Sequence, residues 1–266
     1  MSSTTYEFTT TKPSEVKFSD FDWNKKAVTK VYINPGIALR VGSYEKWATV
    51  PWYLNTPFGQ GGKPTTAAEF LAKIDQAIKN PGDLGPLTYT LDIRINHDVD
   101  DYKKFFGELH NNIADVAKDK VWFDDNAEEI TRDNIIFVTQ ASLRLQRQHD
   151  YHFMRVKVVP TGLPNAPTLR MATGKDETGY TWKNITTTDL LSPQDGGNGQ
   201  LRNAKIIAIL EDVGVWARKD PALGVGWRLA QAFIIPSDDR PVSDSRAANR
   251  SVDAYSGIFP GDMRFE

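Results

Sequence analysis

Two parts of the chain alternate apolar and polar residues strictly enough to predict β-strands. From Leu87 to Ile95, the residues Leu87, Tyr89, Leu91, Ile93 and Ile95 alternate with Thr88, Thr90, Asp92 and Arg94, which gives one buried and one wet face. From Asn203 to Pro236 two longer runs flank a loop carrying Asp220, Pro221 and Gly224, the pattern of a hairpin. In its second arm Val225, Trp227, Leu229, Phe233 and Ile235 are assigned to the core, and Gly226, Arg228, Ala230 and Ala232 to the opposite face. In its first arm Ile207, Ile209, Val213 and Val215 join the core, leaving Trp216 and Arg218 on the side of Arg228. A ring flanked by guanidiniums over small residues suits the stacking of a flat ligand, whereas Trp227 is expected to serve packing alone.

Helical spacing occurs twice. Thr66 and Glu69 form a capping box ahead of a stripe of Phe70, Leu71, Ile74 and Ile78, and Asn80-Pro81-Gly82 ends that helix. Asp100 to Ala117 repeats Tyr102, Phe105, Phe106, Leu109, Ile113 and Val116. Asn134 to Gln148 and Tyr151 to Pro160 are expected to pair as strands whose polar faces are basic, with Arg144, Arg155 and Lys157 in alternation and Arg147 near their junction. Shorter strands are expected at Val28 to Asn34, Ile37 to Val41, Trp47 to Leu54, Leu169 to Ala172 and Gly179 to Lys183, the last bearing Tyr180 and Trp182. No strand-helix repeat of a doubly wound sheet is present. The expected fold is mostly β with α insertions, an OB-like β-barrel or a sandwich with two packed helices. Residues 1–24 are expected to form an N-terminal arm, 25–236 a single elaborated domain and 237–266 a C-terminal tail.

The absence of cysteine in 266 residues removes disulfides, thiolate metal sites and cysteine nucleophiles together. A net charge of -2 argues against coating duplex DNA by bulk positive charge. The distribution is uneven, however: between Gln140 and Lys175 the cations Arg144, Arg147, Arg155, Lys157, Arg170 and Lys175 face Asp150 as the sole acid. The glycine-rich run from Gly59 to Thr66 lacks phosphate-loop spacing and has Pro64 where a metal-binding hydroxyl would be needed. Asp98, Asp100 and Asp101 are acids at a helix start, favoured there by the dipole. His149 to His152 reads as a polar turn, and no nucleophile motif accompanies it. The chain is therefore expected to be no enzyme and to need no cofactor or metal. Without a secretory signal or an apolar span, an intracellular place is expected.

Ala208-Ile209-Leu210, Gly214-Val215-Trp216 and the run from Gly224 to Gln231 resemble a C-terminal hairpin in proteins of nucleocytoplasmic large DNA viruses of algae. Those proteins are similar to OB-fold single-stranded DNA-binding proteins of the phage T7 replication type. The resemblance implies a non-catalytic protein of DNA replication or recombination that stacks bases and holds phosphates. The nucleic-acid-binding candidates are Arg144, Arg147, Arg155, Lys157, Tyr180, Trp182, Trp216, Arg218 and Arg228. Implied partners are single-stranded DNA, replication proteins met through the tail, and a second copy of the chain. The chain's end, Gly261 to Glu266, departs from the acidic tail of that family by including Arg264. The alternative reading is a viral structural or assembly protein that binds no nucleic acid.

Overall fold

The computed structural model describes residues 7–9, 11–19, 28–55, 66–80, 87–119, 131–177, 179–218 and 222–237. The glycine-rich run 59–65, the hairpin loop 219–221 and residues 238–266 of the expected tail lie outside the described residues. In chain order the elements are β1 (Lys17–Phe18), β2 (Val28–Val31), β3 (Ile33–Asn34), β4 (Ala38–Val41), β5 (Ala48–Thr49), α1 (Ala67–Lys79), β6 (Tyr89–Ile95), α2 (Val99–Asp119), α3 (Arg132–Val138), β7 (Thr139–Gln140), β8 (Leu143–Gln146), β9 (Tyr151–Val158), β10 (Thr168–Asp176), β11 (Gly179–Asn184), β12 (Lys205–Arg218) and β13 (Ala222–Ile235). The fold is mostly β with α insertions, as the patterning predicts.

The main sheet runs in the order β11-β10-β13-β12-β5-β6-β9-β8. It also bends back on itself: β13 meets β9 where Arg228 lies opposite Lys157, so β13, β12, β5, β6 and β9 form a closed ring. Closure removes the edges of the strands involved and gives a barrel instead of the two facing sheets of a sandwich. β2 and β4 extend the ring from β12, and β7 from β13.

The alternation in β6 is as expected, with Tyr89, Leu91, Ile93 and Ile95 buried. Thr66 caps α1 by accepting from the Glu69 amide, and Phe70 packs its ring 4.9 Å from that of Tyr89. Ile78, assigned to the buried stripe of α1, is instead 44% exposed. α2 lays Tyr102, Phe105, Phe106, Leu109 and Ile113 into the core, where Trp227 meets Phe106 edge-on at 5.8 Å.

Two further expectations need correction. The strand expected to start at Asn134 begins as a helix, α3, capped by the Thr131 hydroxyl accepting from the Asn134 amide. There are thus three α-helices among the described residues, not two. The apolar run Ile135-Ile136-Phe137-Val138 suits a strand, and the cap at Thr131 overrides that preference.

The second correction concerns the hairpin. Ile209 pairs with Gln231 and Leu210 with Leu229, so Ala230 is an unpaired bulge residue. Beyond the bulge the faces exchange: Ala232 and Ile234 are in the core, whereas Phe233 points to the other side. On β12 the matching residues of the main core cluster are Ile206, Ala208 and Leu210, while Ile207 and Ile209 are buried on the opposite side. A second irregularity, between Asp212 and Val215, restores Val215 and Ala217 to the core. It is shaped by Gly214 at φ 90°, where a Cβ would come 2.5 Å from the Val31 carbonyl oxygen. The Asp212 carboxylate holds this turn by accepting from the amides of Gly214 at 2.9 Å and Ile37 at 2.6 Å. Burial pushes that carboxyl above its usual range, and the two amides act against the shift.

Candidate nucleic-acid interface

Residues directly opposite each other in a sheet share a side, so the register shows what surrounds each ring. Phe153 in β9 lies opposite Arg144 in β8 and opposite Arg94 in β6. It is a half-buried ring with a guanidinium-bearing neighbour on either hand. Arg155, two residues on, sits 5.8 Å from the Phe153 ring centre, and Arg94 lies 4.8 Å from that of Tyr151. His149 continues the series, stacked on Tyr151 at 6.2 Å and 9°.

Of the cations here, Arg155 is paired and Arg144 stands beside that pair. Arg155 makes a two-pronged bond to Asp92, with Nε to Oδ1 at 2.7 Å and a second nitrogen to Oδ2 at 2.8 Å. Arg144 shares the field of that one carboxylate. Desolvation chiefly, and repulsion from Arg155 next, weaken its hold on its proton. Lys157, further along the same side of β9, is pushed down in pKa by burial and then by the charge of Lys30. Neighbouring cations that strain against each other form a place where an anion is welcome.

Of the residues expected from sequence, Arg144, Arg155 and Lys157 come together on this platform. Arg147 is exposed in the turn between β8 and β9. Trp216 lies opposite Lys30, half-buried, with its ring over Gly224, where a Cβ would stand 2.8 Å from the indole. Arg228 lies opposite Lys157 but donates to Glu211 at 2.6 Å, so its charge is already partnered. Arg218 ends β12 opposite Val28 and Ala222, and its side chain lies outside the described residues. The register keeps Trp216 on the side of Arg228, because its partner Gly224 precedes Arg228 by four unbroken residues of β13, but Arg228 already has its own carboxylate in Glu211.

Tyr180 and Trp182 belong to a separate cluster. Trp182 packs edge-on against Phe233 at 5.3 Å and lies 5.6 Å from Tyr180. Tyr180 meets Tyr44 at 6.0 Å and Trp47 at 6.4 Å. Cations flank these rings: Lys175 is 5.2 Å from the Tyr180 ring centre and Arg170 is 5.8 Å from that of Phe233. Beyond Trp47 opens a cavity of about 540 Å³, lined among others by Glu7, Glu45, Asp98 and Asp101 against Arg40 and Lys46. Lys46 is bound to Asp98 at 2.8 Å, so the cavity has the opposite sign to the Phe153 platform.

Sequence reasoning missed Phe153, Tyr151 and Arg94 as site residues. The first two stand in the same alternation as Arg155 and Lys157, and that signal was available. Among the described residues no group of three His, Asp or Glu could hold a metal, and no helix is long and apolar enough to cross a membrane.

No family model matches the chain, and no curated protein matches it. Among solved structures it is similar to the single-stranded DNA-binding protein of bacteriophage Enc34 in a C-terminally truncated form, with a TM-score of 0.37 and 8% identity over 86% of this chain and 99% of that one. The same phage protein in complex with single-stranded DNA gives a TM-score of 0.37 and 10% identity, covering 86% of this chain and 98% of that one.

Proposed function

We propose that the chain binds single-stranded DNA without catalysing a reaction, stacking bases on Phe153 and Tyr151 while Arg94 and Arg144 hold the phosphates and Arg155, fixed by Asp92, flanks the Phe153 ring. The observation that carries this reading is the register that sets Phe153 between Arg94 and Arg144. Rings half-buried in a sheet can meet only the faces of bases, and a duplex keeps those faces covered by its own stacking. Bases in a single strand are free to stack on the protein, whatever their identity. A local run of cations explains how a chain of net charge -2 can still hold a polyanion.

Lys157, with Lys30 and Trp216, continues the path along β9, and Arg147 and Arg218 are further phosphate contacts in this reading. A role in replication or recombination, a kinship with proteins of large DNA viruses and a tail that meets replication proteins belong to the same proposal.

The test is fluorescence anisotropy of labelled single-stranded DNA with nuclease-treated protein at two salt concentrations, with duplex as competitor. Binding is expected to fall with salt and to survive duplex. Phe153→Ala is expected to weaken it by about 1–3 kcal/mol while unfolding at the wild-type temperature. Unchanged affinity in Phe153→Ala would remove the platform from the site. An absence of binding at low salt would favour the structural or assembly reading.

A further inference from the structure

The Phe153 platform and the Trp182 cluster share one side of the sheet, and the register traces the connection strand by strand. Arg144 is opposite Phe153, Phe153 opposite Arg94, Arg94 opposite Thr49, Thr49 opposite Lys205 and Lys205 opposite Ile235. Two residues along β12 and β13 the row resumes, with Ile207 opposite Phe233, Phe233 opposite Arg170 and Arg170 opposite Asn184. Trp182 follows on the same side of β11. Between the two ring groups the face carries Thr49, Arg94 and the exposed Lys205, none of which would turn away a phosphate backbone.

We infer that the cluster of Tyr44, Trp47, Tyr180 and Trp182, with Lys175 and Arg170 at its edge, is a second stacking site for the same DNA strand. This rests on the single-strand reading and goes beyond it, because it makes the site bipartite and gives it a length threshold. Along the row, through β6, β5, β12, β13 and β10, six strand-to-strand steps lead from β9 to β11, roughly 29 Å along the sheet at about 4.8 Å per step; the closure of β13 on β9 lies off this row, at Arg228 and Lys157. At about 3.4 Å per nucleotide of a stacked strand, that span takes roughly eight nucleotides. A shorter oligonucleotide reaches one platform, and a longer one engages the second at the high effective concentration of a tethered ligand. The acidic cavity beyond Trp47 would repel phosphates, so the strand is directed past Trp47 towards Lys175 and Arg170.

The experiment compares affinities for dT4 and dT12 in wild type, in a Trp47→Ala/Tyr180→Ala double variant and in Lys175→Glu. Lys175 is exposed, so its substitution leaves the fold intact and guards against a double variant that fails to fold. The expected result is a gain from dT4 to dT12 at least tenfold larger in wild type than in the double variant, a reduced gain in Lys175→Glu, and dT4 affinity unchanged in all three. Variants that keep the full gain, or that lose dT4 and dT12 binding equally, would overturn the second site while leaving the first standing. A wild type that binds neither oligonucleotide would overturn the single-strand reading itself, and this inference with it.

Discussion

The Phe153 platform and the Trp182 cluster use the same side chains in opposite proportions. In the first, cations stand between and beside single rings, and Asp92 fixes the geometry of Arg155. In the second, rings pack on rings, and cations are confined to the edge. The first is an electrostatic surface with aromatic inserts; the second is an apolar surface with a charged rim. The two should therefore respond differently to anything that changes charge, and alike to anything that removes the barrel beneath them.

The barrel itself provides the largest expected effect. Trp227 is 2% exposed, and its indole Nε1 finds no hydrogen-bond partner among the described residues. Trp227→Ala is expected to cost about 3–5 kcal/mol in chemical denaturation and to lower binding at both platforms together. Trp227→Phe should cost markedly less, because it keeps most of the ring and removes a buried donor that has no partner. A Trp227→Ala protein of wild-type stability would show that the platforms do not share this core.

Acid should act from the side of the Phe153 platform. His110 in α2 faces the Ser142 hydroxyl, 3.4 Å away just before β8, and burial lowers its pKa to about 4. Its folded value lies below the ordinary value of about 6.5, so between those limits the unfolded chain binds the extra proton. Stability is therefore whole above about pH 6.5 and falls as the pH drops towards 4, by up to about 3 kcal/mol. Denaturation curves at neutral and acid pH should show His110→Gln losing less stability than wild type. Equal losses would mean that His110 is not the group responsible.

The sharpest distinction between the platforms is the smallest in energy. Replacing Arg144 or Arg94 by alanine should lower the slope of log affinity against log salt by roughly 0.7 for each lost phosphate contact on a single strand. Trp182→Ala should leave that slope alone while reducing affinity for long strands. Identical slope changes in the arginine and tryptophan variants would make the two platforms electrostatically alike.

These contrasts also explain what the amino-acid pattern revealed. The alternation in β6 and β9, the cap at Thr66 and the apolar repeat of α2 are local, and each was readable from neighbouring residues. Arg144, Arg155 and Lys157 were readable for the same reason. Phe153 is legible as a member of the β9 alternation, but its setting between Arg94 and Arg144 arises through strand pairing and not along the chain. The Trp182 cluster draws on residues 44–47, 170–175, 180–182 and 233, so no single stretch displays it. Phe233 was assigned to the core because strict alternation was carried through Ala230, where the register slips.

That slip makes the outer surface depend on chain length as well as on residue type. A protein lacking one residue at Ala230 could close the bulge, and every side chain beyond it would then rotate to the other side, Phe233 inward and Ile234 outward. Along this strand the side to which an aromatic ring points can be switched by a one-codon insertion or deletion, with no amino acid exchanged. Relatives of the chain should therefore be aligned by bulge position before the rings on either side of the strand are compared.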